Sequence, residues 1–134
     1  MVKIKIVKND TKTVAKVILI DQSDRVLFLK RADNLEKFAG EWDLPGGHLK
    51  EGESLPMGLN REVLEETGLE LRKPVFLSNI DNLHFFYAMY DSQPIKISHE
   101  HTDYKFFEKK DLNANEKFQK KALEALGVIN PNND

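Results

Sequence analysis

One stretch constrains this chain more than any other. Residues 47–69 read GHLKEGESLPMGLNREVLEETGL, with the carboxylates of Glu53, Glu62, Glu65 and Glu66 and the guanidinium of Arg61 at fixed spacings behind a Pro-Gly-Gly turn. Glu62, Glu65 and Glu66 stand at i, i+3 and i+4, which on a helix places them on one face, a turn apart. Like charges so placed repel, and the arrangement costs stability unless something cationic compensates. A hard divalent cation with oxygen ligands would do so. Magnesium takes few protein carboxylates and shares the rest of its shell with water and phosphate.

The surrounding residues predict the helix itself. Ser54 is an N-cap, and Pro56 is tolerated in the first turn. Leu55, Leu59 and Val63 form an apolar row at four-residue spacing, widened by Met57 and Leu64. Gly68 suits the left-handed residue that ends a helix, with Leu69 leading away. Gly58 is the weak point, at roughly 1 kcal/mol relative to alanine in a helix interior.

Gly47, Glu53, Arg61, Glu62, Val63, Glu65, Glu66, Gly68 and Leu69 together match the pattern Gly, five residues, Glu, seven residues, Arg-Glu, aliphatic, any, Glu-Glu, any, Gly, aliphatic. The stretch therefore resembles the signature of the Nudix hydrolase family, with no departure. Nine constrained positions arise by chance at a given start on the order of once in 10⁹ at average residue usage. The motif resemblance covers residues 42–69, and the order of elements extends it over roughly 13–127.

Size and charge agree with such an enzyme. The chain has 134 residues, 40 % hydrophobic and 31 % charged, with a formal net charge of −2. That length suits one domain, 1–134, with a core over about 13–127 and a frayed tail at 128–134. No basic surface for general nucleic-acid binding is implied. There is no cysteine, which excludes disulfides, thiolate metal sites and a cysteine nucleophile. No apolar run approaches the ~18 residues of a membrane span. The opening MVKIKIVKND, with lysines throughout, is not a signal-peptide pattern, so a cytoplasmic protein is the expectation.

Taken in order, residues 2–7 alternate apolar residues with lysine, as a half-buried strand does. Residues 13–20 (TVAKVILI) are a buried β-branched strand, and 25–30 (RVLFLK) return as a hairpin after a turn at 21–24. Residues 31–41 form a polar loop in which Arg31 and Lys37 are positioned to meet a phosphate. A short strand at Trp42 runs into Pro-Gly-Gly, read as a turn with its backbone groups left exposed. Trp42 is the lone tryptophan, suited to core packing or to stacking on a base. Strands are expected at 74–77, 83–90, 95–97 and 104–107, with 78–82 a link and 108–115 a polar loop. A second amphipathic helix spans 116–126 and is closed by Gly127. Strands interrupted by two helices suggest a mixed sheet between helical layers, an α/β fold. The family resemblance implies the same, an α/β/α sandwich.

Dense carboxylates holding magnesium suit displacement at phosphorus. The resemblance implies hydrolysis of a nucleoside diphosphate linked to another moiety, with water attacking phosphorus of a pyrophosphate bond. It places metal on Glu62, Glu65 and Glu66 with the Gly46 carbonyl, magnesium being the expected ion and manganese the alternative. It pairs Arg61 with Glu53 as a tie between loop and helix. Glu65 is the leading general base, and Glu100, in the Ser98-His99-Glu100-His101 segment, is its rival as base or extra ligand. His99 and His101 flank Glu100 and are expected at the surface or against substrate rather than as a metal chelate.

Substrate choice lies outside the box. Tyr87 stands eighteen positions after Leu69, a placement associated in the family with dinucleoside polyphosphates. Nucleoside triphosphates stay open beside them, and ADP-ribose or a nucleotide sugar is the alternative. A silent nucleotide-binding module is the reading from another class. An isoprenoid-diphosphate isomerase is disfavoured by the absent cysteine. Arg31, Trp42 and Tyr87 are the candidate substrate contacts. Family members are often dimers, which makes a homodimer an expectation.

Overall fold

The computed structural model describes residues 12–131; the strand expected at 2–7 and the last three residues of the tail lie outside them. β1 (Val14–Ile20), β2 (Val26–Arg31), β3 (Trp42–Asp43) and β4 (Gly46–His48) precede the helix α1 (Leu55–Thr67). β5 (Val75–Ile80), β6 (Leu83–Met89) and β7 (His101–Phe107) follow, then a 3-10 turn at Lys109–Asp111 and the helix α2 (Lys117–Ile129). All seven strands join one mixed sheet. β1 runs parallel to β6 along its whole length. β2 is antiparallel to β3 and β7, and β5 is antiparallel to β6.

Alternation along β1 explains why the sheet carries a helix on each face. Ala15, Val17 and Leu19 point to one side, where Leu59 and Val63 of α1 complete a core with Leu27, Leu29 and Phe86. Ile18 and Ile20 point to the other, where Ala122, Ala125 and Leu126 of α2 close over Phe28, Phe85 and Phe107. Successive strand residues face opposite ways, so a strand buried on both faces must read as a near-continuous apolar run, and TVAKVILI does so apart from Thr13 and Lys16. The result is the expected helix–sheet–helix layering. Among the described residues no helix is long and apolar enough to cross a membrane.

The sheet opens at one place, and that opening builds the site. β1 meets β2 at a single residue pair, Ile20 with Val26. Further back it pairs instead with β4, through Val14, Ala15 and Lys16 against His48, Gly47 and Gly46. The Pro-Gly-Gly segment is therefore not a turn with open backbone groups. It runs into a strand, with Gly46 buried and the Pro45 carbonyl accepting the Val17 amide at 2.8 Å.

Other expectations shift at element ends. β5 runs on to Ile80 and turns through Asp81, whose φ of 50° supplies the left-handed residue of a tight hairpin. β7 starts three residues before 104, because pairing with β2 continues to His101 opposite Arg31. Residues 95–97 form no strand; the Lys96 and Ser98 amides bond to the carbonyls of Thr67 and Glu66 at the end of α1. Gly127 does not end α2, which continues to Ile129 because Ile129 packs on the same face as Ala122, Ala125 and Leu126.

Candidate active site

α1 begins as its sequence predicts. The Ser54 hydroxyl accepts the Met57 amide at 3.3 Å, and Gly68 ends the helix at φ 73° with its amide on the Leu64 carbonyl. The helix lies against β4 through glycine. A Cβ on Gly47 would stand 2.6 Å from Oε2 of Glu62, so the missing side chain is what admits that carboxylate. One turn on, Glu66 is buried and its Oε1 accepts the Gly46 amide at 2.7 Å.

Arg61 gathers the remaining carboxylates. Its Nε donates to Glu53 Oε2 at 2.7 Å and its Nη2 to Glu53 Oε1 at 3.0 Å, a two-point fork. Nη2 also reaches the His48 carbonyl at 3.0 Å. Nη1 reaches Glu62 Oε1 at 3.0 Å and Glu65 Oε2 at 3.2 Å. The repulsion expected between Glu62 and Glu65 is thus relieved within the protein, by one guanidinium. That guanidinium, with the Lys50 amide, holds the Glu53 carboxyl below the usual carboxylate range and outweighs the opposing effect of burial. Arg61 itself is raised, chiefly by Glu53.

Glu66 stands in a different environment. Burial pushes its carboxyl up to about 8, against the pull of Lys16 and the Gly46 amide, with Asp43 and Glu62 adding to the rise. Lys16 is buried on the α2 side, its ammonium 3.1 Å from Asp43 Oδ2 and 3.2 Å from each of the Leu44 and Gly46 carbonyls. The Gly46 carbonyl, expected as a metal ligand, is therefore directed at an ammonium here. His101 is buried, with Nε2 4.0 Å from Glu66 Oε2, so the expectation of a surface histidine does not hold for it. Burial lowers its imidazole below the ordinary value, against Asp43 and Glu100 and with the help of Lys16 and Arg31.

The candidate residues fall into separate places. Glu53, Arg61, Glu62 and Glu65 form one hydrogen-bonded cluster, with Gly46 and Glu66 beside it. Arg31 lies next to the buried pair, Nη1 3.8 Å from Asp43 Oδ2, and its Nε bonds to the Lys37 carbonyl at 3.2 Å. Trp42 and Tyr87 both pack on the α2-side core, Trp42 edge-on to Phe107 at 5.3 Å. Glu100 is exposed in the turn before β7, with its carbonyl on the Ala32 amide at 2.9 Å. Lys16 and Asp43 escaped the sequence reading. Their signal was a lysine inside an otherwise apolar strand, because a buried ammonium requires a partner.

Among the described residues no three acidic or histidine side chains converge as a ready cation cage. Arg61 accounts for this, since it binds both Glu62 and Glu65. The donor chemistry nevertheless fits a hard divalent ion. Glu62 and Glu66 offer carboxylate oxygens one turn apart over the two glycines, and Glu65 is the most accessible of the three.

The model of the NUDIX domain matches residues 10–126. The chain belongs to the Nudix family. Among curated Nudix relatives, the nucleoside triphosphatase NudI of Escherichia coli O139:H28 (strain E24377A / ETEC) is 28 % identical over 113 residues, covering 70 % of this chain and 80 % of NudI. A Bacillus subtilis (strain 168) protein named "Putative 8-oxo-dGTP diphosphatase" is 44 % identical over 54 residues, covering 40 % of this chain and 33 % of that protein; the match thus spans a third of its length. The MutT protein of Methanosarcina mazei Go1 superposes with a TM-score of 0.66 at 24 % identity, covering 92 % of this chain and 98 % of its own. That likeness shows a shared fold.

Proposed function

We propose that this Nudix hydrolase cleaves a pyrophosphate bond of a nucleoside triphosphate, with water as nucleophile and magnesium as cofactor. One observation carries the reading: Glu62 and Glu66 are pressed over Gly47 and Gly46, with Arg61 tying Glu53, Glu62 and Glu65 into one cluster. Carboxylates concentrated on a glycine-floored strand suit phosphoryl chemistry, in which positioning and charge neutralisation do most of the work.

Glu62, Glu65 and Glu66 would hold the cation. When bound, it neutralises phosphate oxygens and acidifies a coordinated water. The protein groups have distinct tasks. Glu66, backed by the Gly46 amide, is fixed in the floor of the site. Glu65, with a side chain 55 % exposed, is placed to take the proton from attacking water. Glu100, exposed in the turn before β7, is the second candidate for that proton. Arg61 touches carboxylates and a carbonyl and acts by holding them. The similarity to NudI supports a nucleoside triphosphate as substrate. Tyr87, on which a dinucleoside polyphosphate substrate would rest, is half-buried in the α2-side core, and packing accounts for its placement.

The test is a hydrolysis panel with magnesium at mildly alkaline pH. It would include canonical and oxidised nucleoside triphosphates, diadenosine polyphosphates, ADP-ribose and nucleotide sugars, with products resolved by mass. The expected outcome is turnover of a nucleoside triphosphate with kcat in the ordinary range of ~1–10³ s⁻¹. Turnover confined to ADP-ribose or diadenosine polyphosphates would refute the substrate, and a flat panel from folded protein would point to a silent binding module.

A further inference from the structure

His101 opens β7 with a side chain only 1 % exposed, and its Nε2 stands 4.0 Å from Oε2 of Glu66. Neither ring nitrogen has a hydrogen-bond partner among the described residues. The other oxygen of that carboxylate, Oε1, already accepts the Gly46 amide. The approach of the two side chains is built into the backbone. The Ser98 amide bonds to the carbonyl of Glu66 itself at 3.0 Å, and the His101 amide bonds to the Ser98 carbonyl at 3.1 Å. The Ala32 amide, on the Glu100 carbonyl, ties the same turn to the end of β2. A buried imidazole without a partner is costly, because its polar nitrogens have lost water and gained nothing. Closing the gap by about 1 Å brings Nε2 to hydrogen-bond length.

We propose that His101 is a positioning residue for Glu66: its Nε2–H, given to Oε2 directly or across one water, orients the carboxylate toward a divalent cation. The inference rests on the metal-binding reading of Glu66 above. With Gly46 on one oxygen and His101 on the other, the carboxylate is held at both ends, and each oxygen keeps a lone pair for the ion. Hydrogen-bond partners of this kind are worth about 10–100-fold in metal affinity. A merely space-filling His101 would be replaceable by an apolar residue of similar size.

Manganese titration of the substrate-free protein, with free ion counted by electron paramagnetic resonance, tests this without relying on turnover. The proteins compared are wild type, His101→Leu, His101→Gln and Glu66→Gln. The expected result is a Kd raised about 10–100-fold by His101→Leu and near wild type in His101→Gln, whose amide still offers a donor. In steady state the magnesium concentration needed for half-activation rises in His101→Leu while kcat at saturating magnesium holds. If His101→Leu binds manganese as wild type does while Glu66→Gln has lost it, His101 is packing alone and the proposal fails. Equal losses in His101→Leu and His101→Gln also overturn it, because the donor then makes no difference. If Glu66→Gln binds manganese like wild type, the metal reading of Glu66 falls first. Should His101→Leu not fold, His101→Met replaces it, since its thioether has no donor to offer Oε2 and must show the same weakening.

Discussion

Two glutamates of this site sit on opposite sides of the ordinary carboxylate range, and each makes its own pH prediction. Glu66 is raised to about 8 from 4.5, first of all by burial. The unfolded chain therefore releases that proton at lower pH than the folded protein does. Stability is lost as pH rises from 4.5 through about 8, and the penalty is constant above. Glu66→Gln keeps an oxygen for the Gly46 amide and carries no charge. Its metal-free Tm should gain on wild type across that window, as read by thermal melts in chelator, while activity falls about 10²–10⁴-fold. Glu53 is lowered, chiefly by Arg61. Its stabilisation is present above the model-peptide value of 4.5 and lost as pH falls through its lower folded value. The Tm difference between wild type and Glu53→Gln should be full at neutral pH and shrink in acid. A difference independent of pH would assign the effect to packing.

Local propensity and tertiary contact disagree most clearly within α1. Helix propensity alone says that Gly58→Ala should stabilise by up to about 1 kcal/mol. A Cβ there would meet Cγ of Leu49 at 2.6 Å and Cδ1 at 2.9 Å, and Leu49 is fully buried with no room to retreat. We expect Gly58→Ala to destabilise by about 1–3 kcal/mol through overpacking, measured by urea unfolding, with Leu49→Ala in the same chain recovering part of the loss. This is the weak point of the helix seen from its sequence, and its reason was unreadable there because Leu49 lies nine residues away across a loop. The helix itself was legible, since its cap, apolar row and terminal glycine are all local signals. Strand ends were less so. β7 and β5 extend as far as their partners do, and partners are not written in the strand's own residues. Gly127 misled for the mirror-image reason: glycine marks a helix end only where nothing beyond it packs, and Ile129 packs.

Among the described residues, two apolar cores are separated by a sheet whose opening between β1 and β2 is lined with charge. Lys16 and Asp43 sit there, each side chain 10 % exposed and 3.1 Å apart. Replacing Lys16 alone by Met should cost up to about 3–5 kcal/mol, because buried Asp43 is left with only the more distant Arg31, 3.8 Å away. Lys16→Met with Asp43→Leu should recover much of it, since well-packed apolar pairs often match buried ion pairs. Equilibrium unfolding of the three variants decides, and additive losses would mean the two residues act apart. The acidic box was legible because its spacing repeats the helix period. The buried ion pair was not, because Lys16 and Asp43 come from β1 and β3 and meet where β1 has left β2 for β4. Arg61, finally, bonds the His48 carbonyl at one end of the 49–53 loop and the Glu53 carboxylate at the other. Together they close a ring whose circumference is counted in residues. Lengthening a loop ordinarily costs little, about 0.6 kcal/mol per doubling, but a ring of fixed span has no such latitude. The five residues between Gly47 and Glu53, and the seven between Glu53 and Arg61, are the perimeter of that ring, and one residue inserted in its helical arc would turn the guanidinium about 100° away from the carboxylate it holds.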